Sequence, residues 1–274
     1  MMDRILDLLT YHQDEPMIFN SGLFLLLFLG FTLVYALLQR QLTPRLLFVT
    51  LFSYYFYYKS SGFYFFLLAV VTLSDFLIAK AIHRKRQRPG GLAAARWLVA
   101  LSLLIDLGLL FYFKYTNFLG SVIASLTGGL FTSLDIFLPV GISFFTFQSL
   151  SYTIDVYRGQ IVPLTRLLDY AFYVSFFPQL VAGPIVRARD FIPQIRKPLF
   201  VSREMFGRAV YLIAGGLFKK AVISDYISVN FVDRVFDAPT LYSGVENLMA
   251  VYGYALQIYC DFSGYSDMAI GIAL

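Results

Sequence analysis

The sequence predicts an all-α fold, a multi-pass transmembrane helical bundle with one re-entrant segment, and three observations carry that reading. Of the 274 residues, 58% are hydrophobic with Gly not counted, and only 14% are charged, against roughly 25% charged in an ordinary soluble domain. The charges fall in bursts between long neutral stretches. One apolar segment, residues 170–186, has basic residues on both flanks and Pro and Gly inside it. The 29 Phe and 20 Tyr, with a mean hydropathy of +0.68, exclude intrinsic disorder. The 19 Gly and 10 Pro are scattered without a period, which excludes collagen-like and linker sequences. A single Cys, Cys260, permits no intramolecular disulfide and no zinc site built on Cys pairs, so no metal is expected.

The elements follow in order. Residues 18–38 hold no charge, and 21 residues at about 1.5 Å each cross a hydrocarbon layer of roughly 30 Å. Asp3, Asp7, Asp14 and Glu15 outweigh Arg4 before it, unlike the basic start of a cleaved signal peptide, and they point the N-terminus outward. Residues 46–58 are a short span or an interfacial helix, with the aromatic run at 54–58 at the headgroup layer. Residues 63–82 and 97–113 are two further spans, each with one acid, Asp75 and Asp106. The positive-inside rule puts Arg40, Arg45 and the burst at 83–88 inside and Lys59 outside. That burst follows an apolar run and lies on no separate solvated face, so it retains the chain at a membrane and does not mark a nucleic-acid binder.

Residues 116–135 read as an outside loop or surface helix, and 136–156 as a fifth span with Arg158 and Arg166 at its inner end. In 170–186, Arg166 precedes the segment and Arg187, Arg189, Arg196 and Lys197 follow it, so both ends are expected inside. With Pro178, Gly183 and Pro184 inside it, a re-entrant loop fits better than a kinked span, provided protein shelters its backbone. Residues 209–218 are too few to span alone between Arg208 and Lys219. Residues 224–237 are expected at a surface, and 246–274 are apolar apart from Asp261 and Asp267. With no internal repeat or linker, residues 1–274 form one membrane domain.

Ionisable groups inside membrane segments are costly and are candidates for function by default. Asp75 and Asp106 are such candidates, or else partners of basic groups on neighbouring helices, while Asp155 is expected to pair with Arg158. The densest polar run holds Tyr259, Asp261, Ser263, Gly264, Tyr265, Ser266 and Asp267, with Gln257 just before it. Such density suggests a lined cavity. The two Asp are six apart and share no helical face unless Gly264 breaks the helix. The two imidazoles, His12 and His83, read as solvated side chains. Cys260, without a nearby imidazole, reads as a small buried hydrophobe.

Four stretches then resemble the membrane-bound O-acyltransferase family, in its bacterial alginate O-acetyltransferase-like branch: PVGISFFTFQ at 139–148 running on to IDVYRG at 154–159, FFPQLVAGPIVR at 176–187, GLFKK at 216–220, and YALQIYCDFSGYSDMA at 254–269. The resemblance implies a multi-pass enzyme of the bacterial cytoplasmic membrane, active in polysaccharide acetylation such as alginate biosynthesis. It would move an acyl group, usually acetyl, from a cytoplasmic thioester donor such as acetyl-CoA to hydroxyls of an extracytoplasmic polysaccharide. No cofactor stays bound. The implied partners are the lipid bilayer, the donor, the polysaccharide acceptor and a periplasmic or membrane-anchored acetyltransferase, with no nucleic acid. Pro178, Gln179, Gly183, Pro184 and Arg187 would line the acyl-transfer cavity together with the run at 257–267.

The family's catalytic His lies downstream of the stretch at 254–269, and the chain stops at Leu274. The resemblance therefore implies the N-terminal part of an acyltransferase-type membrane domain, incomplete at its C-terminus, with no catalytic residue of its own and no activity alone. The competing readings are a non-catalytic membrane scaffold of a polysaccharide-modification complex and a transporter.

Overall fold

The computed structural model describes residues 9–13, 16–181, 183–197 and 200–274. Asp3, Asp7, Asp14 and Glu15, the acids read as orienting the N-terminus, lie outside them. Every regular element among the described residues is helical, as the composition predicts. The helices are α1 (Gly22–Leu37), α2 (Leu42–Ser61), α3 (Phe65–Arg86), α4 (Leu92–Thr127), α5 (Ile142–Arg158), α6 (Leu167–Ser175), α7 (Phe177–Leu180), α8 (Ala188–Ile195) and α9 (Arg203–Leu217). After α9 come π-helical turns at Phe218–Ser224 and Ser228–Val232 flanking α10 (Asp225–Ile227), then α11 (Asp233–Asp237) and α12 (Gly244–Ala273).

Among the described residues, two stretches are long and apolar enough to cross a membrane, Leu42–Arg86 with 45 residues and Leu92–Thr127 with 36. The first corrects the short element expected at 46–58. That expectation ended the helix at Arg45 and Lys59, but both side chains are buried and spent on backbone oxygens. Arg45 donates to the carbonyls of Gln39 (3.3 Å) and Ile195 (3.1 Å), and Lys59 donates to that of Thr10. A cation whose hydrogen bonds are satisfied need not end a helix. α2 therefore runs 20 residues, and a 3₁₀ turn at Gly62–Tyr64 joins it to α3.

Further boundaries also move. α4 continues to Thr127, so the first part of 116–135, expected as an outside loop or surface helix, is the end of a longer helix, and α5 begins at Ile142 instead of 136. Pro139 and the left-handed Gly141, at φ +71°, hold the chain out of helix until then. Residues 209–218, too few to span alone, are part of a longer element, because α9 and the π-helical turns make 203–237 one nearly unbroken helical path. Ser224, Val232 and Val235 in it are buried, so 224–237 is more than a surface strip.

The chain divides into two compact units. The first comprises residues 1–16, 35–181 and 185–198. Its core holds Leu68, Val71 and Ala79 of α3, Phe145 and Tyr152 of α5, and Tyr170 and Tyr173 of α6, each at most 1% exposed. Burial of such side chains contributes about 1.5–3 kcal/mol each. The second unit comprises 17–34, 182–184 and 199–274, and centres on α9 and the π-helical turns lying along α12.

Candidate functional site

In the first unit the stretches at 139–159 and 176–187 meet. Phe176, with ψ at 107°, breaks the chain between α6 and α7, and the chain leaves helix again after Leu180, before α8. α6 has nine residues, about 14 Å of helix, too short to cross the hydrocarbon layer. Pro178 begins α7 where its missing N–H costs nothing. Gly141 packs so tightly on this turn that a Cβ there would stand 2.1 Å from the Leu180 carbonyl oxygen. One step along α5, the buried Gln148 amide donates to the Tyr173 carbonyl (2.7 Å) and to Gln179 Oε1 (3.1 Å). Arg187 is exposed at the N-cap of α8. Gly183 is buried and Pro184 half-buried, both counted with the second unit.

A second cluster in the first unit was not assembled by sequence reasoning. Asp75 is fully buried, and its two oxygens accept from Ser102 Oγ (2.7 Å) and Ser149 Oγ. Ser149 also shares a hydrogen bond with the Tyr170 hydroxyl (2.8 Å). Asp106 lies one turn beyond Ser102 on α4, and neither of its carboxyl oxygens has a hydrogen-bond partner among the described residues. The expectation of a basic partner is corrected, since hydroxyls solvate Asp75 and leave no need for a cation. The expected Asp155–Arg158 pair is also absent among the described residues, because Asp155 is buried while Arg158 points outward. Ser102, in a largely apolar stretch of α4, was the available signal.

The run at 257–267 is built in the second unit. α12 is a continuous helix through Gly264, which corrects the idea of a break there. Asp261 and Asp267 therefore stay on different faces, and each takes its own cation. Lys219 Nζ stands 2.6 Å from Asp267 and 3.0 Å from Ser263 Oγ, while Lys220 Nζ stands 2.7 Å from both Asp261 and Asp225. Both lysines lie in the first π-helical turn, and such turns recur at functional sites. Gln257 donates to Ser228 Oγ (2.9 Å), and its carbonyl accepts from Ser224 Oγ (3.0 Å). Tyr265 is buried and stacks on Phe19 at 4.4 Å, Tyr259 is exposed, and Ser266 is half-buried. Cys260 is buried, as expected.

Gly264 has a different task. A Cβ on it would meet the Gly216 carbonyl oxygen at 2.8 Å, so the two glycines let α9 and α12 approach backbone to backbone. Small residues serve this purpose in membrane helix pairs. Sequence reasoning missed Lys219 and Lys220 as the counter-ions, although a pair of lysines in one stretch and a pair of acids in another, both in otherwise apolar surroundings, was a usable signal. The cluster offers fixed charges and hydrogen-bond donors but no nucleophile beside a base. Among the described residues no group of His, Cys, Asp and Glu could hold a metal ion.

Three of the four stretches, at 176–187, 216–220 and 254–269, fall within a match to a known class of proteins. Residues 161–274 match the model of the membrane-bound O-acyltransferase family. The chain is 36% identical over 263 residues to the probable alginate O-acetylase of Pseudomonas aeruginosa, covering 94% of this chain and 49% of that protein. It is 34% identical over 291 residues to the peptidoglycan O-acetyltransferase of Helicobacter pylori, covering 94% and 54%. The teichoic acid D-alanyltransferase of Bacillus subtilis is 29% identical over 139 residues, 49% of this chain and 34% of that one. The chain thus spans about half the length of the curated relatives it matches along most of its own length.

Proposed function

We propose that the protein takes part in moving an acyl group, in the first instance acetyl, from a cytoplasmic thioester donor to hydroxyl groups of an extracytoplasmic polysaccharide, as a multi-pass protein of the bacterial cytoplasmic membrane. The observation that carries the proposal is the identity of 34–36%, over 94% of the chain, to two relatives named as O-acetylating enzymes of different polymers. Shared residues across different acceptors favour the transfer reaction as the common element. Both units act as one membrane domain over 1–274. A separate periplasmic or membrane-anchored acetyltransferase is its partner in delivering the acyl group to the acceptor polymer.

Under this reading the broken segment from α6 to α8 is re-entrant, with both ends cytoplasmic, and Pro178, Gln179, Gly183, Pro184 and Arg187 line the donor side of the cavity. Gln257, Tyr259, Asp261, Ser263, Gly264, Tyr265, Ser266 and Asp267 line a polar substrate path within the second unit, with Lys219 and Lys220 fixing the carboxylates. The general base for the acceptor hydroxyl, worth about 10²- to 10⁴-fold, comes from outside these 274 residues. His12 and His83 both belong to the first unit, and His83 bonds only to Gln87 among the described residues. The 274 residues alone therefore bind donor without turning it over.

The test is deletion of the gene, followed by assay of alkali-labile acetate on the cell's surface polysaccharides. Loss of ester acetate, restored by wild type and not by Asp261→Ala or Gly183→Val, supports the reading. Unchanged ester acetate in the deletion strain sinks it. Turnover of an acyl thioester by the purified 274 residues would remove the claim of an external base.

A further inference from the structure

A cavity of about 320 Å³ opens in the first unit where α2 and α6 begin, lined by Leu42, Thr165, Arg166, Asp169 and Arg196. Leu42 is the first residue of α2 and Arg166 the N-cap of α6, and neither helix start has a side-chain cap. Their first-turn N–H groups therefore lack side-chain acceptors, and the positive ends of two helix dipoles converge on one space. Arg196 is held there by the nearly buried Asp169, Nη2 to Oδ2 at 2.9 Å. Arg166 is exposed, and its guanidinium has no partner among the described residues. Lys80 Nζ donates to the Thr165 carbonyl (3.0 Å), which takes that acceptor out of the cavity.

The lining therefore has donors in surplus and two guanidiniums against one carboxylate, with the Lys80 ammonium at its edge. A phosphodiester carries one negative charge and several acceptor oxygens, and Arg is the side chain suited to it. A free phosphate or a phosphomonoester carries closer to two charges. Basic pockets between helices at the cytoplasmic ends of membrane spans are where acidic lipid headgroups dock. We propose that this cavity binds the phosphodiester headgroup of an acidic lipid of the inner leaflet, with Arg166 as the variable contact and Arg196 as the anchored one. The choice of leaflet rests on the topology read above, which puts Arg40, Arg166 and Arg196 on the cytoplasmic side.

The test uses the full chain in neutral detergent and follows its unfolding midpoint against short-chain phosphatidylglycerol, matched phosphatidylcholine and inorganic phosphate. A saturable rise with phosphatidylglycerol is expected, about fivefold weaker in Arg166→Gln, with no saturable rise from the other two. Leu42→Trp, which fills the cavity without touching a charge, should remove the rise and leave the lipid-free midpoint in place. Equal affinity in wild type and both variants overturns the site. Competition by inorganic phosphate at the same concentration overturns the lipid and reassigns the site to a soluble phosphate. Thr165→Cys in a Cys260→Ala background, labelled with an impermeant maleimide, tests the topology separately. Labelling from the periplasmic side overturns the leaflet even if phosphatidylglycerol binds.

Discussion

Gly216 and Gly264 face each other so closely that a methyl group on either would strike the other's backbone. A Cβ on Gly216 falls 2.5 Å from the Gly264 oxygen, and one on Gly264 falls 2.8 Å from the Gly216 oxygen. Both glycines belong to the signature stretches, and their contact is what brings Lys219 and Lys220 within reach of the acids on α12.

Overpacking a close contact typically costs about 1–3 kcal/mol. Gly216→Ala is expected to lower stability by that amount in thermal unfolding in detergent. Gly207→Ala is the control, since a Cβ there meets nothing within 4 Å. In a helix interior it should stabilise by about 0.5–1 kcal/mol. Equal effects of the two substitutions would mean that α9 and α12 do not approach at Gly216.

Lys220 serves Asp261 and Asp225, whereas Lys219 serves Asp267. A double-mutant cycle of Lys220→Met with Asp261→Asn should give a coupling of about 0.5 kcal/mol or more, and Lys220→Met with Asp267→Asn a coupling near zero. The reverse order of couplings would mean that the lysines are swapped.

Asp106 is a buried carboxyl without a hydrogen-bond partner among the described residues, so Asp106→Asn should leave the unfolding midpoint unchanged or raise it. Ser149→Ala should lower stability by about 1–3 kcal/mol, because it leaves an Asp75 oxygen and the Tyr170 hydroxyl unpaired. A marked fall for Asp106→Asn would show that the carboxyl works for its place.

α12 starts with a capping box, in which the Ser243 hydroxyl accepts from the Glu246 N–H and the Glu246 carboxylate accepts from the Ser243 N–H (2.7 Å). The Ser243 hydroxyl and backbone N–H hold the Glu246 pKa below the usual carboxylate value. A pKa lowered by folding contributes stability above the unfolded pKa, and that contribution disappears as pH falls through the folded one. Amide exchange in the first turn of α12 should therefore speed up in acid, beyond the intrinsic pH dependence, in wild type. In Glu246→Gln that acceleration should be absent.

The all-helical class was legible from charge scarcity and apolar runs, and the family resemblance from four stretches, because both depend on residue types at short range. What the sequence hid was the fate of its isolated charges. Arg45 and Lys59 read as helix ends, and Lys219 as the end of an apolar run, because an unpaired charge cannot stay buried. Whether a charge is unpaired depends on residues far along the chain: Ile195 for Arg45, Thr10 for Lys59 and Asp267 for Lys219. The same holds for Asp75, whose solvation by Ser102 and Ser149 spans three helices.

The sequence by itself determined that this chain is helical, apolar and built around the signature stretches of a membrane-bound acyltransferase family, since composition and local motifs suffice for those. Only the tertiary structure decided where the helices run on, which lysine holds which aspartate, and that Gly264 joins two helices instead of breaking one. Those outcomes turn on hydrogen bonds and close approaches between distant segments, and no local window of sequence contains both partners.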